Sequence, residues 1–226
     1  MTNKYMYFVA NWKMFGGLKT LNSLNKVISF SKNIKKSRLK IIYCPPTTLI
    51  LPLFQKFKKT PIDVGAQNCH ESKKYASLTG QINSKMLKDV GAKYVILGHS
   101  ENRQIGEDNK LINQKIKSSL MSGLKVIFCI GETLKEKRNN KTNKILSDQI
   151  KNCLTGIRNY SKIMIAYEPV WAIGTGNIPN KNDLKKNILF IKKKFRNNSV
   201  KVLYGGSVNS KNIKDLKKIS LIDGFL

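Results

Sequence analysis

Three side chains of unlike chemistry stand just past short apolar runs in this 226-residue chain. Glu168 follows Met164–Tyr167, and Pro169, with a fixed φ and no N–H, stops that run from continuing. A carboxylate placed there and shielded from water would have its pKa raised toward working pH. It could then take a proton from a carbon beside a carbonyl. His99 follows Tyr94–Gly98 and precedes a short helical start. A helix N-terminus disfavours imidazolium, so a neutral ring there could polarise a carbonyl and shuttle a proton between oxygens. Lys13 lies just past Tyr5–Ala10, between Trp12 and Met14. A fixed ammonium at that point would stabilise a developing enolate oxygen and a phosphate dianion. His70, the other histidine, falls in a loop and reads as structural.

The segment after Glu168 describes a cover for it. Pro169 is a stiff hinge, Val170–Ile173 is apolar, and Gly174-Thr175-Gly176 closes the stretch. Mobile lids of this kind exclude water and complete a site. The positioning elements alternate along the chain. Strands are expected over Tyr5–Ala10, Lys40–Cys44, Ile62–Gly65, Tyr94–Leu97, Lys125–Ile130, Met164–Tyr167, Val202–Tyr204 and, incipiently, Gly224–Leu226. Their near-continuous apolar character suits parallel strands covered on both faces. Amphipathic helical segments lie between them. Leu111, Ile112, Ile116 and Leu120 recur at helical spacing, Gly123 ends that helix, and Asn180 and Asn209 sit where N-caps belong. An open doubly wound sheet concentrates its chemistry at one or two switch points. Here polar residues follow strands one, four, six and seven, which requires strand ends that converge, as on the C-terminal face of a closed barrel.

The bulk properties bound the remaining choices. One domain spanning 1–226 accommodates the whole alternation. No apolar run is long enough to span a bilayer, and Lys4 before a short strand does not make a signal peptide, so a soluble, cytoplasmic protein without membrane contact is expected. Cys44, Cys69, Cys129 and Cys153 form no C-x-x-C pair and have few histidines to join, which disfavours a disulfide framework or a metal site. The net charge of +29 is spread over many elements, as in Lys35-Lys36, Lys58-Lys59, Lys185-Lys186 and Lys217-Lys218. A solvated lysine coat is expected. It would attract anionic substrates and hold polyanions loosely, without a specific nucleic-acid site.

Several further motifs carry a family resemblance. Asn11-Trp12-Lys13-Met14, Gly98-His99-Ser100-Glu101, Cys129-Ile130-Gly131-Glu132, the lid Ala166–Gly176 and Tyr204-Gly205-Gly206-Ser207-Val208 occur in the order found in triosephosphate isomerase. The chain resembles that family over nearly its whole length. The resemblance implies a TIM (β/α)8 barrel whose enzyme interconverts dihydroxyacetone phosphate and D-glyceraldehyde 3-phosphate in glycolysis and gluconeogenesis, with neither metal nor organic cofactor. It implies Glu168 as the carbon base, His99 as the oxygen acid, and Lys13 as the charge stabiliser, with Asn11, Gly174 and Ser207 also touching the phosphorylated triose. Glu101 resembles the acid that positions Lys13. Ile173 and Leu226 resemble an apolar clamp on the base, Tyr204 and Ser207 latches of the closed lid, and Glu132 the partner of Trp171 when the lid is open. Thr79 resembles the tip of a loop that enters a second subunit of a homodimer.

The pattern departs from the family in places. Gln81 and Asn102 replace a residue pair that is often acidic and basic, which implies an altered dimer contact. Pro179 removes the N–H that the Tyr204 latch would use. After Asp223-Gly224-Phe225-Leu226 the family continues with a glycine pair and a final helix, so a C-terminally incomplete barrel with a short last strand is expected. Its closure is then in doubt, and activity is expected to be weak or absent until that segment is supplied. The alternatives are an inactive or weakly active barrel that binds polyanions non-specifically, and another phosphate-binding barrel such as an aldolase, for which no Schiff-base lysine or metal set is evident.

Overall fold

Eight apolar runs form eight parallel strands in a computed structural model that describes residues 5–33, 38–195 and 200–226. The strands are β1 (Met6–Asn11), β2 (Leu39–Cys44), β3 (Asp63–Ala66), β4 (Tyr94–Leu97), β5 (Lys125–Ile130), β6 (Ile163–Tyr167), β7 (Lys201–Tyr204) and β8 (Gly224–Phe225). They differ from the expected spans by a residue or so at their ends. The helices are α1 (Asn25–Asn33), α2 (Ile50–Phe57), α3 (Ser84–Asp89), α4 (Ser100–Gln104), α5 (Asn109–Met121), α6 (Leu134–Arg138), α7 (Thr142–Cys153), α8 (Lys181–Lys193) and α9 (Ile213–Leu216).

Each strand pairs with the next, and β8 pairs with β1, so the sheet closes into a barrel. This overturns the doubt about closure. Gly224 and Phe225 face Leu203 and Tyr204 on one side and Tyr7 and Phe8 on the other. The residues flanking β8 extend the seam, because Tyr7 N–H donates to Asp223 O at 2.9 Å and Leu226 N–H to Tyr204 O at 3.0 Å. A closing strand needs only enough backbone to bond both neighbours, and two residues with these flanks supply it. Gly224 has a steric reason to be glycine, since a Cβ there would lie 2.3 Å from Tyr7 O.

Alternation along the strands sorts the core into two layers. Val9, Ile42, Ile96, Ile127, Ala166 and Leu203 fill the barrel interior. The larger layer, including Val95, Phe128, Ile165 and Val202, packs outward against Ile112, Ile116, Leu146 and Ile188 of the helices. Asp108 caps α5 through Leu111 N–H at 2.7 Å, and Gly123, at φ +83°, follows its end as expected. Asn180 caps α8. Asn209 does not cap a helix directly; its side chain accepts from Lys211 and Asn212 N–H in the turn before α9. The exposed lysine coat has an exception in Lys115, which is buried and paired with Glu107. Lys4 and Lys35-Lys36 lie outside the described residues. No helix among the described residues is long and apolar enough to cross a membrane.

Candidate active site

The C-terminal ends of β1, β4 and β6 bring Lys13, His99 and Glu168 together. His99 Nε2 lies 3.7 Å from Glu168 Oε1. Glu101 joins the other two, with Oε1 accepting from Lys13 Nζ at 2.6 Å and Oε2 lying 3.5 Å from His99 Nδ1. Glu101 is half exposed, so this contact adds little stability. Its consequence is position: it fixes where the ammonium sits.

Backbone geometry holds each group. Glu168 N–H donates to Ile130 O at 2.8 Å, which places the residue where β6 leaves β5. Gly205 after β7 lies against its side chain; a Cβ on Gly205 would stand 2.6 Å from Glu168 Cγ and 2.9 Å from Oε1. His99 precedes α4, and its Nδ1 accepts from Glu101 N–H at 3.3 Å. With Nδ1 used as an acceptor, the neutral ring carries its proton on Nε2, the nitrogen that faces Glu168. Lys13 adopts φ +51°, a left-handed conformation uncommon outside glycine. Asn11 Oδ1 accepts from Lys13 N–H at 3.0 Å. Gln67 Nε2 donates to both Lys13 O and Cys44 O at 2.8 Å. These bonds over-determine a strained loop, as a fixed functional geometry requires.

Burial sets the electrostatics. Glu168 is 3% exposed and His99 5%. Desolvation is the largest influence on each, and it penalises whichever form is charged. It drives the Glu168 carboxyl up to about 8, against the lowering pull of the Cys129 thiol and the Lys13 charge. It holds His99 below its ordinary value, with Glu101 acting upward and Lys13 downward. Cys129 is itself pushed well up by burial first and then by Glu168, so it stays a thiol.

The lid begins at Glu168. Trp171 Nε1 donates to Glu132 Oε1 at 3.1 Å, and the buried Glu132 also accepts from Tyr167 Oη at 3.2 Å. Lys137 stands 3.8 Å from the centre of the Trp171 ring. Ser207 holds the far half: its Oγ donates to Ala172 O at 2.6 Å and accepts from Gly176 N–H at 3.0 Å. The Trp171–Glu132 bond and the Ser207 bonds to Ala172 and Gly176 occur together in this structure. Among the described residues the Tyr204 hydroxyl is buried without a hydrogen-bond partner in this structure. Ser207 N–H donates to Ala172 O at 3.0 Å, and Gly174 is exposed at φ +67°. Ile173 is half-buried, and Leu226 packs against the barrel-interior cluster. Thr79 is exposed, on the segment between β3 and α3.

Sequence reasoning missed Gln67 and Arg103. Arg103 Nε donates to Gly98 O at 2.8 Å, and its Nη1 donates to Asn109 Oδ1 at 2.7 Å, bracing the turn that carries His99. The signal available for Gln67 was its place just past β3. His70 is structural as expected, with Nδ1 accepting from Ser72 N–H at 3.0 Å. Among the described residues no group of His, Cys, Asp and Glu is placed to hold a metal ion.

A polarised acid, a neutral imidazole donor and an ammonium around one mouth suit proton transfer next to a carbonyl. Comparison with known proteins points the same way. The sequence pattern of the family Triosephosphate isomerase matches residues 6–226. Triosephosphate isomerase of Thermodesulfovibrio yellowstonii is 41% identical over 97% of this chain and 92% of its own length. That of Aquifex aeolicus is 41% identical over 96% and 90%. The crystal structure of triosephosphate isomerase from Bartonella henselae superposes with a TM-score of 0.87 at 32% identity, covering 98% of this chain and 91% of that one. With eight paired strands, the site at their C-terminal ends and these likenesses, the chain belongs to the triosephosphate isomerase family.

Proposed function

We propose that this protein interconverts dihydroxyacetone phosphate and D-glyceraldehyde 3-phosphate through an enediolate, as a step of glycolysis and gluconeogenesis. The observation that carries this reading is the 3.7 Å approach of His99 Nε2 to Glu168 Oε1, with both side chains buried. Ionised Glu168 removes the proton from the carbon beside the carbonyl and returns it to the neighbouring carbon. The Nε2–H of neutral His99 donates to the carbonyl oxygen as negative charge develops there, and the ring then passes a proton between the two oxygens. Lys13, fixed by Glu101, stabilises that charge and attracts the phosphate. Asn11 adds a polar contact. Gly174 N–H and Ser207 N–H serve the phosphate, which in the case of Ser207 replaces its present bond to Ala172 O. The lid excludes water while the enediolate exists.

We also propose a homodimer. Met14 and Phe15, 94% and 75% exposed, follow Lys13 directly, and Leu78 on the Thr79 loop is also exposed. Apolar side chains of this size at a site's edge favour cover by a second subunit.

The test is the isomerase rate of the full chain in a coupled assay. Glu168→Gln is expected to lower kcat by about 10²–10⁴, and Lys13→Met to lower kcat/KM by about 10²–10³. A chain that turns over neither triose phosphate, or a Glu168→Gln variant with unchanged rate, overturns the reading.

A further inference from the structure

The opposite mouth of the barrel carries a cluster that catalysis does not use. Lys125 and Lys201 open β5 and β7 two residues before Ile127 and Leu203, whose side chains fill the barrel interior. Side chains two apart on a strand share a face, so both lysines belong to the interior face rather than to the helix-covered one. Lys162 stands one residue ahead of β6, and its carbonyl accepts from Val126 N–H at 2.8 Å, which sets it beside Lys125. These three lysines line one cavity of about 330 Å³ together with Tyr7, Tyr94 and Tyr160. The Lys125 ammonium lies 5.4 Å from the centre of the Tyr94 ring.

Among the described residues no carboxylate lines the cavity beside them. The acids that act on Tyr7 and Tyr94 from neighbouring elements are engaged elsewhere. Asp63 accepts from Lys93 Nζ at 2.6 Å, and Asp223 from Lys192 Nζ at 2.7 Å and Val202 N–H at 2.8 Å. Burial first, and Asp63 among the nearby charges, keeps the Tyr94 and Tyr7 hydroxyls protonated and able to donate. Like charges gathered around a concave, partly apolar wall raise a positive potential that draws counter-ions.

We infer that this basal cavity is a binding site for a compact, multiply charged phosphoryl oxyanion, held by Lys125, Lys162 and Lys201 with tyrosine hydroxyls as neutral donors. It lies at the N-terminal ends of the strands, away from Glu168 at the C-terminal end of β6. Its occupancy is therefore independent of the catalytic reading. Free pyrophosphate and a sugar bisphosphate present the same chemistry and are the two sources to separate.

The test is calorimetric titration of the full chain with inorganic pyrophosphate, and separately with fructose 1,6-bisphosphate, at about 0.15 M salt, where long-range attraction is screened. The variant K125Q/K162Q/K201Q keeps most of each side-chain stem and removes the charge. It is expected to bind the preferred anion about tenfold or more weakly. The control K144Q/K151Q/K185Q removes equal charge from exposed helix surfaces and is expected to bind like the parent. Whichever anion binds more tightly to the parent identifies the source. If the triple basal variant does not fold, Lys162→Gln, outside any strand, is expected to weaken binding several-fold. Equal loss in the basal and control variants, or no binding to the parent, overturns the site.

Discussion

Glu168 and His99 approach to 3.7 Å without being a simple ion pair, because desolvation raises the pKa of a carboxyl and lowers that of an imidazole. Both groups rest neutral near pH 7, with Glu168 ionising toward about 8. Two outcomes follow at this scale. First, kcat/KM is expected to climb as pH rises toward 8, and a profile flat between about 6 and 9 would contradict the placement of the base. Second, the folded protein holds a proton on Glu168 that the unfolded chain releases above about 4.5. Stability from this group therefore falls as pH rises from about 4.5 through about 8. Glu168→Gln is expected to flatten that slope, gaining on the order of a few kcal/mol at high pH relative to low, as chemical denaturation at each pH would reveal. Gly205→Ala is expected to displace the carboxylate and lower kcat while the barrel still folds, read by activity against circular dichroism. The residues with this chemistry were legible because each is out of place for its type: an acid before proline in an apolar run, a histidine in a chain poor in them, a lysine between Trp12 and Met14. Gln67 and Arg103 were not, because their work is to donate to backbone carbonyls such as Lys13 O and Gly98 O. Nothing in an amide or guanidinium reveals such a partner along the sequence. Nor did any pattern announce the left-handed backbone at Lys13.

At the scale of the element, the segment after Glu168 is held at its far half by Ser207. Ser207 bonds two of its backbone groups, while the Tyr204 hydroxyl is buried without a hydrogen-bond partner. Leaving a hydroxyl buried and unsatisfied is unfavourable, so Tyr204→Phe is expected to cost nothing or to stabilise the fold, within about 1 kcal/mol, by thermal or denaturant unfolding. A loss of several kcal/mol would show that the hydroxyl has a partner. Ser207→Ala is expected to loosen the lid and lower kcat. Pro179→Ala, which restores an N–H, is expected to slow lid opening, followed by Trp171 fluorescence after a temperature jump; unchanged kinetics would remove Pro179 from the account. That Pro179 has no N–H to donate was readable from sequence, because a missing donor is a property of the residue itself. The coexistence of the Trp171–Glu132 bond with the Ser207 latch was not, since it depends on how two ends of one loop sit together.

At the scale of the molecule, barrel closure is what turns distant residues into a site. The strand periodicity marked seven strands and the start of an eighth, and convergent polar residues argued for a barrel over an open sheet. The strength of the last seam was not legible, because Asp223 and Leu226 reinforce β8 from outside the strand. The same geometry gathers the lysines of the opposite mouth, which along the chain read only as members of a diffuse coat. The exposed Met14, Phe15 and Leu78 predict a dimer, so Leu78→Asp is expected to shift sedimentation toward monomer with loss of activity. The most direct measurement of the whole account is hydrogen exchange between dihydroxyacetone phosphate and D₂O, followed by NMR. The parent protein is expected to place solvent deuterium on the carbon bearing the transferred proton, and Glu168→Gln to abolish that label while leaving the fold intact. Equal labelling by the two proteins, or none by the parent, would contradict Glu168 as the base on which the site is built.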